Sequence, residues 1–267
     1  RIYPINQYII YPFIILYMKK FFIPKFAYMK SNKFKLDALF FGAHPDDVEL
    51  TCGGTVLKLV NDGKKVGIID LTKGELSTRG NLTTRKKETD AASKVMGIEV
   101  RENAGLKDGE IKNDAASRRI IINLIRKYQP KIIFAPYPDD RHPDHINAGN
   151  LISDSFFYSG LKKIFTKVNI PFRANKLYFY PQHYDIPISF IIDISKFYNK
   201  KLEALKCYGT QFFSGKNDKG DETYISTENF MKYTEAKARF YGFKIGAEFG
   251  EPFYTKGYLK FETGNLF

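Results

Sequence analysis

The chain has 267 residues and 43% hydrophobic content, enough for one large domain with a sizeable core. Its formal charge is +13, but seven of those charges fall in residues 1–35, which contain no acid, so the rest is only mildly basic. That remainder has no arginine-rich run and no interleaved basic and aromatic residues, which argues against nucleic-acid binding, and its two distant cysteines, Cys52 and Cys207, form neither a CxxC pair nor a disulfide framework, as expected for a reducing cytoplasm.

The chain opens with RIYPINQYIIYPFIILYMKKFFIPKFAY, residues 1–28. Its uncharged stretch approaches membrane-spanning length, but Pro4 and Pro12 interrupt it, and no small-residue cleavage site follows. The segment reads as an extension outside the fold, with the catalytic body beginning at Met29 and running to 267; a membrane-surface anchor is the alternative. From residue 36 the pattern alternates. LDALFFGA is a continuous apolar run, as expected for a strand covered on both faces. GGTVLKLVNDG follows as a helix, KVGIIDLT as a strand, and TTRKKETDAASKVMG as a helix capped by Gly97. DAASRRIIINLIRKYQP is a helix with Asp114 as N-cap and Pro130 as a stop. KIIFAPY is a strand and DHINAGNLISDSFFYSG a helix ending near Gly160. KLYFYPQ and ISFIIDIS read as strands, SKFYNKKLEALKCYGTQF and TENFMKYTEAKARFYG as helices, and SGKNDKGDE as a polar loop. The order predicts one α/β domain, Rossmann-like, with a mostly parallel sheet and helices on both faces.

In such sheets ligands sit at the carboxyl ends of strands. Two ionisable clusters fall at such ends. One is His44, Asp46 and Asp47 in AHPDD, and the other is YPDDRHPDH, residues 137–145. Together they hold three of the four histidines. Adjacent buried carboxylates repel unless a cation lies between or beside them. His44 and Asp47 are three residues apart, as are His142 and His145, a spacing that projects side chains the same way on a first helical turn. His44, Asp47 and one of the later histidines would make a two-histidine, one-carboxylate set. Three protein ligands leave a tetrahedral zinc one position for water, and the metal would make that water a nucleophile near neutral pH. Asp46 is then the candidate to take the proton. Zn2+ is the expected ion, and Fe2+ suits the same donors. His183 reads as structural or as a rim residue.

At these residues the sequence resembles the PIG-L/LmbE family of zinc-dependent N-acetylglucosaminyl deacetylases. AHPDDVEL followed by CGGT, and HPDH about a hundred residues on, carry the likeness; DLTKGELSTRG, TTRKKE, FAPYPDDRHPDH and EFGEPFYTKGYL extend it toward the bacillithiol-pathway branch, which deacetylates N-acetylglucosaminyl malate. The resemblance implies that His44, Asp47 and His145 are the metal ligands and Asp46 the general base. It implies that His142, as an imidazolium kept charged by Asp144, stabilises the oxyanion. It further implies Arg85, Glu75, Ser77 and Arg141 as substrate-binding residues, with Arg173 as a weaker candidate. The expected ligand is a small anionic sugar conjugate. A homo-oligomer, as large as a hexamer, is expected, and neither nucleic acid nor membrane as a partner. Other N-acetylglucosamine conjugates, such as lipid, inositol or chitin-type, are the alternative substrates. A non-catalytic metal- or carbohydrate-binding protein is the rival of another class, but metal binding alone has no need of Asp46.

Overall fold

The computed structural model describes residues 35–212, 215 and 220–260. The expected extension at residues 1–28, and most of the polar loop at 214–222, lie outside the described residues. Five parallel strands, β1 (Ala38–Gly42), β2 (Val66–Asp70), β3 (Val100–Asn103), β4 (Ile132–Pro136) and β5 (Lys176–Tyr180), form a sheet in the order β3-β2-β1-β4-β5. The helices between them are α1 (Asp47–Asn61), α2 (Leu82–Met96), α3 (Ala115–Tyr128) and α4 (Pro143–Tyr158).

The apolar runs are continuous because both faces of the sheet are covered. Leu39 and Phe41 of β1 and Ile69 of β2 pack with Ile121 and Ile125 of α3 and Leu151 and Ile152 of α4. Ala38 and Phe40 of β1 and Val66 and Ile68 of β2 pack on the other face with Val48, Cys52 and Val56 of α1 and Met96 of α2. Between the central strands, the Phe40 and Phe134 rings stack with centroids 4.2 Å apart. As expected, Asp114 caps α3 through Ser117 N (2.8 Å), and Gly97 ends α2 in the left-handed region, at φ 68°.

Three elements differ from the sequence expectation. Helix α1 begins at Asp47, six residues before Gly53, so the metal motif itself forms its first turn. Strand β3, sequence VREN, is an edge strand too short and polar to show an apolar run. Its Arg101 nevertheless ties two elements together, donating to Asp70 at the end of β2 (2.7 and 2.8 Å) and to Glu49 of α1 (2.6 Å). The segment ISFIIDIS supplies β6 (Phe190–Asp193), which joins no parallel strand; it pairs antiparallel with β7 (Gly250–Phe253) in a separate two-stranded sheet. Helices α5 (Tyr198–Lys206) and α6 (Glu228–Phe243) complete the layer on that side.

β1 lies between β2 and β4, so the connections leaving β1 and β4 run to opposite sides of the sheet. This is a topological switch point, where parallel sheets open a crevice. Both ionisable clusters leave the sheet there.

Candidate functional site

His44 follows β1 by two residues, and its backbone N–H donates to Asp47 Oδ2 (2.9 Å). That bond turns the Asp47 carboxylate back over the strand end. Asp46, the N-cap of α1, has φ 106°, in the left-handed region. A non-glycine residue there costs on the order of 1–3 kcal/mol, and such strain concentrates at functional positions. From the second cluster, His142 caps α4 and His145 sits in its first turn. α4 approaches the end of β4 closely: a Cβ on Gly149 would lie 2.6 Å from the Pro136 carbonyl oxygen.

These elements bring His44, Asp47 and His145 together, with one donor atom of each within 4.8 Å of the others. His145 Nε2 lies 3.3 Å from Asp47 Oδ1, and His44 Nδ1 lies 3.7 Å from Asp47 Oδ2. The opposite ring nitrogens are held from behind. Asp108 Oδ1 is 2.9 Å from His44 Nε2, and Asp140 Oδ1 is 2.8 Å from His145 Nδ1. Carboxylates placed behind histidines in this way fix the tautomer and aim the other nitrogen at a cation. Burial opposes charge on His44, but the hydrogen bonds to Asp108 and Asp144 and the nearby Asp47 outweigh it, pushing its pKa up to about 10. His145 likewise rises to about 9, against its burial, through Asp47 and Asp140. The site therefore concentrates negative charge that demands a cation. A divalent metal fits this donor set of two imidazoles and one carboxylate.

Asp46 is buried, and Arg85 Nη1 donates to its Oδ2 (3.0 Å). Burial pushes the Asp46 carboxyl up to about 7, with Arg85 pulling against it. Arg85 is itself buried, and its guanidinium passes over Gly74, where a Cβ would lie 3.0 Å from Nε. Gly74 also has φ +68°, so a side chain there is excluded twice.

The family model described as GlcNAc-PI de-N-acetylase, PIG-L, matches residues 39–156, a span from β1 into α4 that contains both clusters. The chain belongs to the PIG-L family. A diacetylchitobiose deacetylase from Thermococcus kodakarensis is 28% identical over 184 residues, covering 63% of this chain and 67% of that protein. A probable N-acetyl-alpha-D-glucosaminyl L-malate deacetylase 2 from Bacillus anthracis is 26% identical, covering 63% of this chain and 78% of that protein. Among solved structures, a conserved protein from Thermus thermophilus superposes with a TM-score of 0.78 at 32% identity, covering 85% of this chain and 98% of that one.

Within this PIG-L domain the surroundings of His142, Asp144 and Arg173 differ from those expected of them. His142 does not sit as an imidazolium held by the Asp144 carboxylate. Its Nδ1 accepts the backbone N–H of Asp144 (3.1 Å), so that nitrogen carries no proton. Burial and the neighbouring His44 and His145 lower its pKa, which favours a neutral ring with its proton on Nε2. The Asp144 carboxylate instead accepts from Gly109 N (2.7 Å) and lies 3.4 Å from His44 Nε2. Arg173 is not at the site. It donates to the Phe157 carbonyl (2.7 Å) at the far end of α4, about 18 Å along the helix from His145. Glu75 is exposed and accepts the Lys73 N–H (2.9 Å), while Ser77 donates to Gln211 (2.8 Å). Arg141 is exposed and packs over the Tyr224 ring at 4.1 Å.

The sequence expectation assigned no role to Asp108 and Asp140 and left His183 as a structural or rim residue. His183 donates its backbone N–H to Asp140 Oδ2 (2.7 Å), and its Nδ1 lies 2.9 Å from Asp140 Oδ1. Its ring stacks on His145 with centroids 5.5 Å apart and an interplanar angle of 8°. Asp140 lies inside YPDDRHPDH and was findable there as a partner for a ligand histidine; Asp108 and His183 carry no local signal.

Proposed function

We propose that this chain is a metal-dependent deacetylase that hydrolyses the N-acetyl group of an N-acetylglucosaminyl conjugate, with N-acetylglucosaminyl malate as the first candidate substrate. The observation that carries this reading is the pairing of two aspartates with two duties. Asp47 joins the His44/His145 donor set, while its neighbour Asp46, in a left-handed conformation, stays out of that set and is held by Arg85. A bound metal, zinc being the expected ion, supplies a Lewis acid and an activated water at neutral pH.

The chain's own residues divide the remaining work. Asp46 takes the proton of the attacking water and returns it to the nitrogen of the departing amine, so one water yields acetate and a free amine. Its raised pKa suits both directions of that transfer. His142, with Nδ1 occupied by the Asp144 N–H, presents Nε2–H to the carbonyl oxygen as charge develops there. Asp108 and Asp140 keep the His44 and His145 rings from turning. Arg141, exposed at the rim, is available to meet a carboxylate of a malyl aglycone.

A second reading has its own support. Tyr224 is 53% exposed and lies beside His183, with ring centroids 5.6 Å apart. A half-exposed aromatic ring at this rim suits a second sugar ring, as in a chitobiose-type substrate, and a diacetylchitobiose deacetylase is among the relatives. Amine release from N-acetylglucosaminyl malate, diacetylchitobiose and N-acetylglucosamine, measured side by side on metal-loaded protein, separates the two. Faster release from the malate conjugate supports the first reading, and faster release from the disaccharide supports the second. No chelator-sensitive release from any of the three sinks both.

A further inference from the structure

A small cavity lies outside the metal cluster, bounded by α1, α6, β7 and the turn after β5, with a volume of about 50 Å3. Much of its wall is apolar, including Leu50, Pro181, Phe230 and Pro252. Two polar side chains in that wall are unsatisfied. The Lys237 ammonium, 5.9 Å from the Tyr233 ring centroid, and both amide atoms of Gln182 are buried without a hydrogen-bond partner among the described residues. The carboxylate nearest to Lys237, Asp185 Oδ1, is 3.7 Å away, and its side chain is 84% exposed. Burial lowers the pKa of Lys237.

The other buried polar groups of the wall are already engaged. Lys201 donates to Glu251 (2.7 Å), Thr51 to the Asp47 carbonyl (2.7 Å), and Thr234 to the Phe230 carbonyl (2.9 Å). Tyr241 donates to Asp185 (3.2 Å), and His183 Nδ1 is on Asp140. A desolvated ammonium and a desolvated amide each cost stability unless something meets them. One ligand class supplies what both lack and also suits the apolar wall: an anion with two acceptor oxygens and a short carbon tail.

We propose that this cavity binds a short carboxylate, held by Lys237 and by the Gln182 amide, at a site separate from the metal cluster. A ligand hydroxyl would also satisfy the Gln182 carbonyl. The cavity is one side chain from the cluster, because His183 lines it while stacking on His145. The carboxylate could be acetate released nearby or a free hydroxy acid, and the two are titrated separately.

The test is saturation-transfer NMR of acetate, and in parallel of L-malate, on the full metal-loaded chain. Each titration is repeated with saturating acetohydroxamate, which occupies the metal. Saturable binding by either carboxylate that survives the hydroxamate, weakens at least about tenfold in Lys237→Met and is kept in Lys237→Arg supports the site. The ligand that binds names the source. Thermal melting of Lys237→Met no lower than that of the wild type shows that loss of binding is not loss of fold. Binding that hydroxamate removes entirely, or that is equal in Lys237→Met and the wild type, overturns the proposal and leaves the cavity to water. Neither result depends on turnover, so failure here is distinct from failure of the deacetylase reading.

Discussion

Arg85 is the residue whose neighbours say most about its task. The family resemblance implies a substrate-binding role for it, yet its Nη1 donates to Asp46 inside the protein. Arg85 lowers the pKa of the Asp46 carboxyl, against the larger effect of burial. Without that cation the carboxylate is harder to form. Arg85→Met is therefore expected to move the acid limb of the kcat/KM profile to higher pH, with Arg85→Lys moving it less. A profile that stays in place while KM alone rises would return Arg85 to substrate binding. The same logic applies one residue behind a ligand. Asp140 gathers the His145 and His183 rings and the His142 backbone N–H. Asp140→Ala leaves His145 free to turn and is expected to weaken metal binding roughly 10–100-fold, measured by competition with a chromophoric chelator. Metal affinity equal to wild type would reduce Asp140 to a loop brace.

At the scale of elements, β7 holds the helix that carries the metal motif. Glu251 is buried and accepts from Gly54 N, Thr55 N, the Thr55 hydroxyl and Lys201 Nζ at 2.6–3.0 Å. One carboxylate thus joins the small sheet to α1 and α5. Glu251→Ala strands a buried lysine and two backbone donors and is expected to cost about 3–5 kcal/mol in urea unfolding, whereas Glu251→Met with Lys201→Met recovers much of that loss. A loss below about 1 kcal/mol for the single change would show that water replaces the carboxylate. This junction was illegible in the sequence, because GEPF shows no strand pattern and its α1 partners lie nearly two hundred residues away. β1, β2 and β4 were legible for the opposite reason: burial on both faces writes an apolar run into the chain. The start of α1 was hidden because HPDD serves the site, and a strained aspartate replaces the usual capping pattern. His44, Asp47 and a later histidine could be read as donors from residue types crowded at two strand ends, and the family resemblance chose His145 over His142. The state of His142 could not, since a backbone N–H two residues on decides it.

At the scale of the whole molecule, no helix among the described residues is long and apolar enough to cross a membrane, and buried charge is gathered at the carboxyl ends of the central strands β1 and β4. Asp47, Asp108, Asp140 and Asp144 all have lowered pKa values in spite of burial, because His44, His145 and backbone donors face them. Without metal, the two histidines must carry the compensating protons. Their folded pKa values, about 10 and about 9, lie above the 6.5 of an unconstrained imidazole. A raised pKa contributes stability that is complete below pH 6.5 and is lost as pH climbs through the folded values. Chelator-treated protein is thus expected to lose several kcal/mol of stability between about pH 6.5 and pH 10. Metal-loaded protein should lose far less, since a divalent ion replaces the protons. The reciprocal effect is on affinity. Loading at pH 7 must expel protons from both rings, so binding should tighten with pH across the same window and release up to about two protons per ion. Calorimetric metal titrations in buffers of different ionisation enthalpy count those protons directly. Zero protons released at pH 7, together with a chelated protein whose melting midpoint is flat from pH 6.5 to 10, would mean that the histidines are neutral without metal and that the carboxylates around them are balanced by some other charge.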